Sequence, residues 1–262
     1  MHPIILQLGS FKIYSYSLMV LIAFCAGTLY AWLEAKRLKE NPEHALDLAV
    51  LVFIFSFIGG RLAHCIVNWR IYLADPLRIF KIWEGGLVYY GGYLASALVC
   101  YIYIKRSHLN LGRWADILAP TAMTTLFFGR IGCFLNGCCY GSPAPDWFPF
   151  KVKYPLSVIP LHLAGVALHP TPIYESLLTG LIALGLILYR KRKKYEGELF
   201  WLMMVLYPVV RFFLEYLRAD PRGVVPGLNL STSQFLGILI FIPSLVCLII
   251  GYRRKVRQDA LQ

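Results

Sequence analysis

Seven apolar runs, at about residues 14–33, 46–68, 87–104, 115–135, 173–189, 198–217 and 232–251, divide the 262-residue chain. Each is close to the roughly 20 residues that a helix needs to cross a bilayer. None alternates apolar and polar residues as a barrel strand does, so the spans are predicted to be helices, which satisfy their backbone groups internally. Composition points the same way: 58% of residues are hydrophobic and 15% charged, against about 45–50% and 25% in soluble domains. The expected fold is an all-α integral membrane protein, a bundle of seven transmembrane helices forming a single membrane domain over 1–262. The first run has no basic segment before it and no small-residue cleavage site, so it is expected to be retained. The gap at 136–172 is rich in Pro, Gly and aromatics and is expected to form a loop or cap on the bundle.

The net charge of +12 raises the possibility of nucleic-acid binding, but the placement of the cations speaks for a membrane. One set of loops carries Lys36, Arg37, Lys39, Lys105, Arg106, Arg113, the run Arg190 to Lys194, Arg253, Arg254, Lys255 and Arg257, fifteen in all. The other set carries eight: Lys12, Arg70, Arg78, Lys81, Lys151, Lys153, Arg218 and Arg222. The positive-inside rule then places the N-terminus in the periplasm and the C-terminus in the cytoplasm. The basic clusters read as topology signals and contacts to anionic membrane lipids. No motif supports a nucleic-acid partner.

Three of the 26 basic residues remain, Arg61, Arg130 and Arg211, each inside a predicted span. A charge at mid-membrane costs at least about 2.5–3.5 kcal/mol, so such residues face the protein interior and mark function. With the spans oriented as above, all three fall near the outer leaflet. Tyr14, Tyr16, Tyr90, His169, Tyr174 and Glu175 fall at the same level, and Tyr207, Arg211 and Glu215 share one helical face, where Arg211 and Glu215 can pair. Interfacial tyrosines and snorkelling arginines are common, but three arginines on separate helices, with Gly59-Gly60 and Gly129 beside them, indicate a pocket. Glycine there would permit close approach of a neighbour or a ligand. A guanidinium fork suits phosphate and stabilises charge that grows during reaction. The ligand expected at this depth is a phospholipid head group.

At these residues the chain resembles the prolipoprotein diacylglyceryl transferase family over about residues 10–250. The segments that carry the likeness are GGRLAHCIVNW, WEGGLVYYGG, HPTPIYES and YPVVRFFLEYLRADPRG. The resemblance implies transfer of diacylglyceryl from phosphatidylglycerol to the lipobox cysteine of a preprolipoprotein, in the bacterial inner membrane, by a protein acting as a monomer without metal or organic cofactor. It implies that Arg130 and Arg211 hold the departing phosphate, with Tyr90 and Glu215 also in the chemistry. Arg61, Tyr16, Tyr207, Asn136, Gly129, Gly141, His169 and Tyr174 would bind or orient substrate.

The sequence also departs from the family's pattern. The stretch GRIGCFLNGCCYG has Cys133 where the family has Asn and Cys138 where it has Glu, and Tyr90 stands at the place of a family histidine. Tyrosine, with an ordinary pKa near 10, is a poorer base than histidine, although a nearby arginine would lower it. Cys133, Cys138 and Cys139 admit three readings: a disulfide from Cys133 to Cys138 or Cys139 in an oxidising periplasm, inert thiols, or a thiolate activated by Arg130. Zinc is not expected, since His162 and His169 show no ligand spacing. Cys25, Cys65, Cys100 and Cys247 read as small core residues. Competing functions are a paralogue using the same lipid with another acceptor, a thiol–disulfide membrane oxidoreductase, and a non-catalytic lipid-binding or transport protein.

Overall fold

The computed structural model describes residues 2–8, 11–81, 85–220, 223–225 and 227–259. Trp83 and Glu84 of the glycine-rich segment, and Arg222 among the outer cations, lie outside the described residues.

Every predicted span contains one long helix. These are α1 (Ser15–Arg37), α2 (Glu43–Val67), α4 (Tyr89–Arg106), α5 (Leu111–Asn136), α6 (Thr171–Tyr189), α7 (Glu198–Glu215) and α8 (Thr232–Asp259), with a short α3 (Trp69–Ala74) after α2. Among the described residues, five of them, α1, α2, α5, α6 and α8, are long and apolar enough to cross a membrane by length and composition alone. The other two are diluted by polar residues. Helix α4 contains five tyrosines and ends in Lys105 and Arg106, and α7 carries Glu198, Arg211 and Glu215 within its 18 residues. Three two-stranded antiparallel ribbons complete the fold: β1 (Ile4–Leu8) with β2 (Phe11–Tyr14), β3 (Val152–Lys153) with β4 (Ala167–Leu168), and β5 (Val224–Val225) with β6 (Leu230–Ser231).

Helices α6 and α8 turn polar residues inward and leave large apolar residues exposed, as lipid allows. Along α6 the buried side chains include Thr171, Glu175, Ser176 and Thr179, while Leu177, Leu181, Leu184 and Leu188 are exposed. On α8 the two buried residues are Gln234 and Ser244, whereas Leu239, Ile242 and Val246 are exposed.

Two compact units form, residues 31–114 in one and residues 1–30 with 115–262 in the other. In the first, α2 and α4 meet through small residues. A Cβ on Gly59 would lie 2.3 Å from Ala95 Cβ and 2.5 Å from the Gly91 carbonyl oxygen, and one on Gly91 would lie 2.3 Å from Ala63 Cβ. Without a hydrophobic force between helices in lipid, such backbone approach supplies the attraction. In the larger unit, Ala119 and Met123 of α5 pack with Ile182, Ala183 and Leu186 of α6 and with Leu199 and Met203 of α7. A second apolar cluster, Tyr140, Tyr154, Ile159, Leu163 and Leu168, gives segment 137–170 a core of its own. Isolated bridges from Gly141 to Arg218 and from Pro143 to Leu168 tie that segment down.

Candidate functional site

The site of the larger unit is organised by a carboxylate within α6. Glu175 is fully buried. A buried carboxylate at this depth must be paired, and three arginines from different places in the chain converge on it. Arg130 Nη2 of α5 lies 3.0 Å from Glu175 Oε1, Arg211 Nε of α7 lies 3.9 Å from the same oxygen, and Arg218 Nη1 lies 3.4 Å from Oε2. The Tyr207 hydroxyl also donates to Oε1, at 3.2 Å. Two more carboxylates balance the remaining charge. Glu215 Oε2 is 2.6 Å from Arg211 Nη2, the pair expected from their helical spacing. Asp220 accepts from Arg218 Nε at 2.9 Å and Nη2 at 3.1 Å.

Three guanidiniums and three carboxylates thus form one layer, yet the donors are not all used. Arg130 Nε and Arg211 Nη1 are buried and have no hydrogen-bond partner among the described residues. A buried unpartnered donor on a charged group is costly. Two of them around one carboxylate make a place for an anionic oxygen, for which arginine offers its fork.

Backbone geometry builds one wall. Gly137 (φ 84°) and Cys139 (φ 62°) both take the left-handed conformation, turning the chain sharply after α5. This turn brings Cys138 and Cys139 back to Cys133, so that the three sulfurs all lie within 4.8 Å of one another. All three are free thiols, so of the three readings open for them the disulfide is the one the structure does not show. Cys138 Sγ donates to the Cys133 carbonyl at 3.5 Å, and Asn136 hydrogen-bonds Cys138. Arg130 Nη1 reaches Cys139 Sγ at 3.8 Å, so one arginine links the carboxylate hub to the thiols. The neighbouring Cys133 and Cys138 side chains, with the positive charge of Arg218 and Arg130, hold Cys139 well below the usual thiol range. Thr171 anchors the turn by donating to the Cys139 carbonyl at 2.6 Å.

Gly141 follows, wedged where a Cβ would lie 2.7 Å from the carbonyl oxygens of both His169 and Leu217. No other residue fits between those two strands of backbone, and the wedge fixes the chain that carries Arg218. His169 Nδ1 is 3.0 Å from the Tyr174 hydroxyl, and burial lowers its pKa from the ordinary 6.5, which favours the neutral ring. Tyr16 packs over Gly132, within electrostatic reach of Cys133, Cys138 and Arg130.

The structure therefore brings together Arg130, Arg211, Glu215, Tyr207, Asn136, Gly141, Tyr16 and the three cysteines. His169 and Tyr174 form a neighbouring pair on the chain leading into α6. Gly129 is not used for close packing: a Cβ there would meet nothing within 4 Å. Arg61 and Tyr90 belong to the other unit. There Arg61 donates to the backbone carbonyls of Arg78, Ile79, Lys81, Gly85 and Gly86. It fastens the segment before α4 and has no N–H left over for a ligand. Tyr90 lies in the first turn of α4 with its ring edge-on to Tyr89.

Two central residues escape a reading from sequence. Glu175 reads as one polar residue among several at its level, although a carboxylate inside an apolar helix is itself a sign of buried cations. Arg218 reads as an interfacial cation, yet its side chain is 1% exposed. Its place three residues after Glu215 and seven after Arg211 continues the polar face of α7, which was the available signal.

Comparison with known proteins gives the family. A family model described as prolipoprotein diacylglyceryl transferase matches residues 3–250. A phosphatidylglycerol–prolipoprotein diacylglyceryl transferase of Clostridium tetani is 34% identical over 92% of this chain and 94% of its own length. The protein named as transferase 2 of Clostridium perfringens is 34% identical over 90% of each chain. A relative of the same name from Halalkalibacterium halodurans is 32% identical over 96% of this chain and 86% of its own. With a family model over nearly its whole length and such relatives, this chain belongs to the prolipoprotein diacylglyceryl transferase family.

Proposed function

We propose that this protein transfers the diacylglyceryl group of phosphatidylglycerol to the cysteine thiol of a preprolipoprotein lipobox. The observation that carries the reading is the pair of buried, unpartnered donors, Arg130 Nε and Arg211 Nη1, beside a thiol-lined turn. Phosphate oxygens satisfy those donors. As the acceptor thiolate attacks the glyceryl carbon, the carbon–oxygen bond breaks and charge gathers on the departing glycerol phosphate. Donors already in place stabilise that charge without reorganising. Tyr207, Glu215 and Glu175 keep the two guanidiniums aimed, and Tyr16 borders the acceptor side.

The seven long helices act as seven spans, with the N-terminus in the periplasm and the C-terminus in the bacterial cytoplasm, a reading that the cation asymmetry supports. The arginine layer then faces the periplasmic leaflet of the inner membrane, and segment 137–170 caps it. The partners are phosphatidylglycerol and preprolipoprotein signal peptides, met by a monomer.

The test is release of glycerol phosphate from phosphatidylglycerol vesicles containing the purified protein. Release should require a lipobox peptide with its cysteine and stop when that cysteine is serine. Release at the same rate without peptide would mean a lipase-like hydrolysis and would sink the proposal.

A further inference from the structure

Alkylation of a thiol at neutral pH needs the thiol deprotonated, because the thiolate is the nucleophile. In the unit that holds the arginine layer, the site's carboxylates are already committed: Glu175 to three arginines, Glu215 to Arg211 and Asp220 to Arg218. A carboxylate whose oxygens already accept from guanidiniums is poorly placed to take the proton of an incoming thiol. What the same wall does contain is three sulfur ligands on one spot, Cys133, Cys138 and Cys139, their Sγ atoms all within 4.8 Å.

Although the histidines offer no ligand spacing and the sequence alone predicts no metal, we propose that these three cysteines by themselves form a zinc site whose open fourth position takes the acceptor's thiol as thiolate. With Zn–S bonds of about 2.3 Å, a tetrahedral site sets its sulfurs about 3.8 Å apart, so the thiols need draw in by no more than about 1 Å. Thiolate ligands select a soft or borderline ion such as zinc over magnesium or calcium. Three protein ligands with a fourth position open is the arrangement of reactive rather than structural zinc. All three cysteines are partly exposed, which leaves an approach for the fourth ligand. The turn is set for this by the left-handed backbone of Gly137 and Cys139 and by the Thr171 bond to the Cys139 carbonyl.

Three thiolates and Zn²⁺ sum to minus one, and Arg130 Nη1 lies 3.8 Å from Cys139 Sγ. Arg130 thereby touches the thiol wall with one nitrogen and Glu175 with another, placing the phosphate-holding group beside the metal. The step balances without any redox partner. The acceptor thiol loses its proton to solvent on binding zinc, its sulfur forms the bond to the glyceryl carbon, and the carbon–oxygen electron pair leaves with glycerol phosphate. Zinc stays divalent throughout. The inference rests on the transferase reading only for the identity of the fourth ligand.

The test uses the full chain in detergent, with metal content and a cobalt spectrum as readouts that do not depend on turnover. Wild type and Cys247→Ser should hold one zinc per chain. Cys133→Ser and Cys138→Ser should each lower zinc affinity by more than about tenfold, a loss that even an outer-shell partner can cause. With cobalt in place of zinc, a lipobox peptide should change the absorption bands, and the same peptide with serine for cysteine should not. Zinc retained in a variant lacking all three thiols, a disulfide among them in protein alkylated before lysis, or a cobalt spectrum blind to the peptide would each overturn the proposal. If instead the peptide binds the metal but no diacylglyceryl is transferred, the zinc site stands and the transferase reading fails.

Discussion

Glu175→Gln should nearly abolish activity and destabilise the fold, although it changes a single atom. The side chain is fully buried, and Arg130, Arg211 and Arg218 all rest against it. With the amide in its place, Arg211 keeps Glu215 and Arg218 keeps Asp220, but Arg130 keeps no carboxylate. Removing one partner from a buried ion pair costs about 3–5 kcal/mol, because the other charge is left uncompensated. The expected readout is a large drop in midpoint on thermal unfolding in detergent, together with loss of transfer. Adding Arg130→Gln to Glu175→Gln should recover part of the stability, since the stranded charge is removed too, and none of the activity. A double variant no more stable than the single one would mean that the two residues are not coupled.

The second large effect concerns the phosphate donors themselves. Arg130→Ala and Arg211→Ala each remove an unpartnered buried donor together with a charge that, in the proposed reaction, holds the leaving group. Loss of one preorganised donor typically costs about 100- to 1,000-fold in rate. Each variant should therefore fall by at least that much in turnover while still binding lipid through its acyl chains. Lysine restores charge without the planar fork, so Arg130→Lys and Arg211→Lys should recover only a small part of the loss. Recovery to near wild-type rates would show that charge alone suffices and that the orphan N–H groups are not the phosphate contacts.

The helices were legible in the sequence because lipid imposes a length and a polarity that any stretch of chain displays by itself. The Arg211–Glu215 pair was legible too, since both residues lie on α7 four positions apart. Glu175 as the common partner of three arginines was not, because those arginines come from α5, α7 and the chain after α7, and only tertiary packing joins them. The cysteine cluster depends on two left-handed residues, Gly137 and Cys139. Nothing in the string GCFLNGCC distinguishes three thiols held side by side from a disulfide. Arg61 shows the opposite limit. An arginine inside a span is rightly expected to be buried, but burial can serve backbone carbonyls as well as a ligand, and its five carbonyl partners come from a segment with no regular pattern.

In the proposed reaction, lipid phosphate and acceptor thiol meet at the Arg130 side of this unit. Mass analysis of a lipobox peptide incubated with the protein in phosphatidylglycerol vesicles tests it most directly. A diacylglyceryl adduct on the peptide cysteine, lost in Arg130→Ala, is the predicted result. An unmodified peptide from protein that is folded and has lipid bound would contradict it.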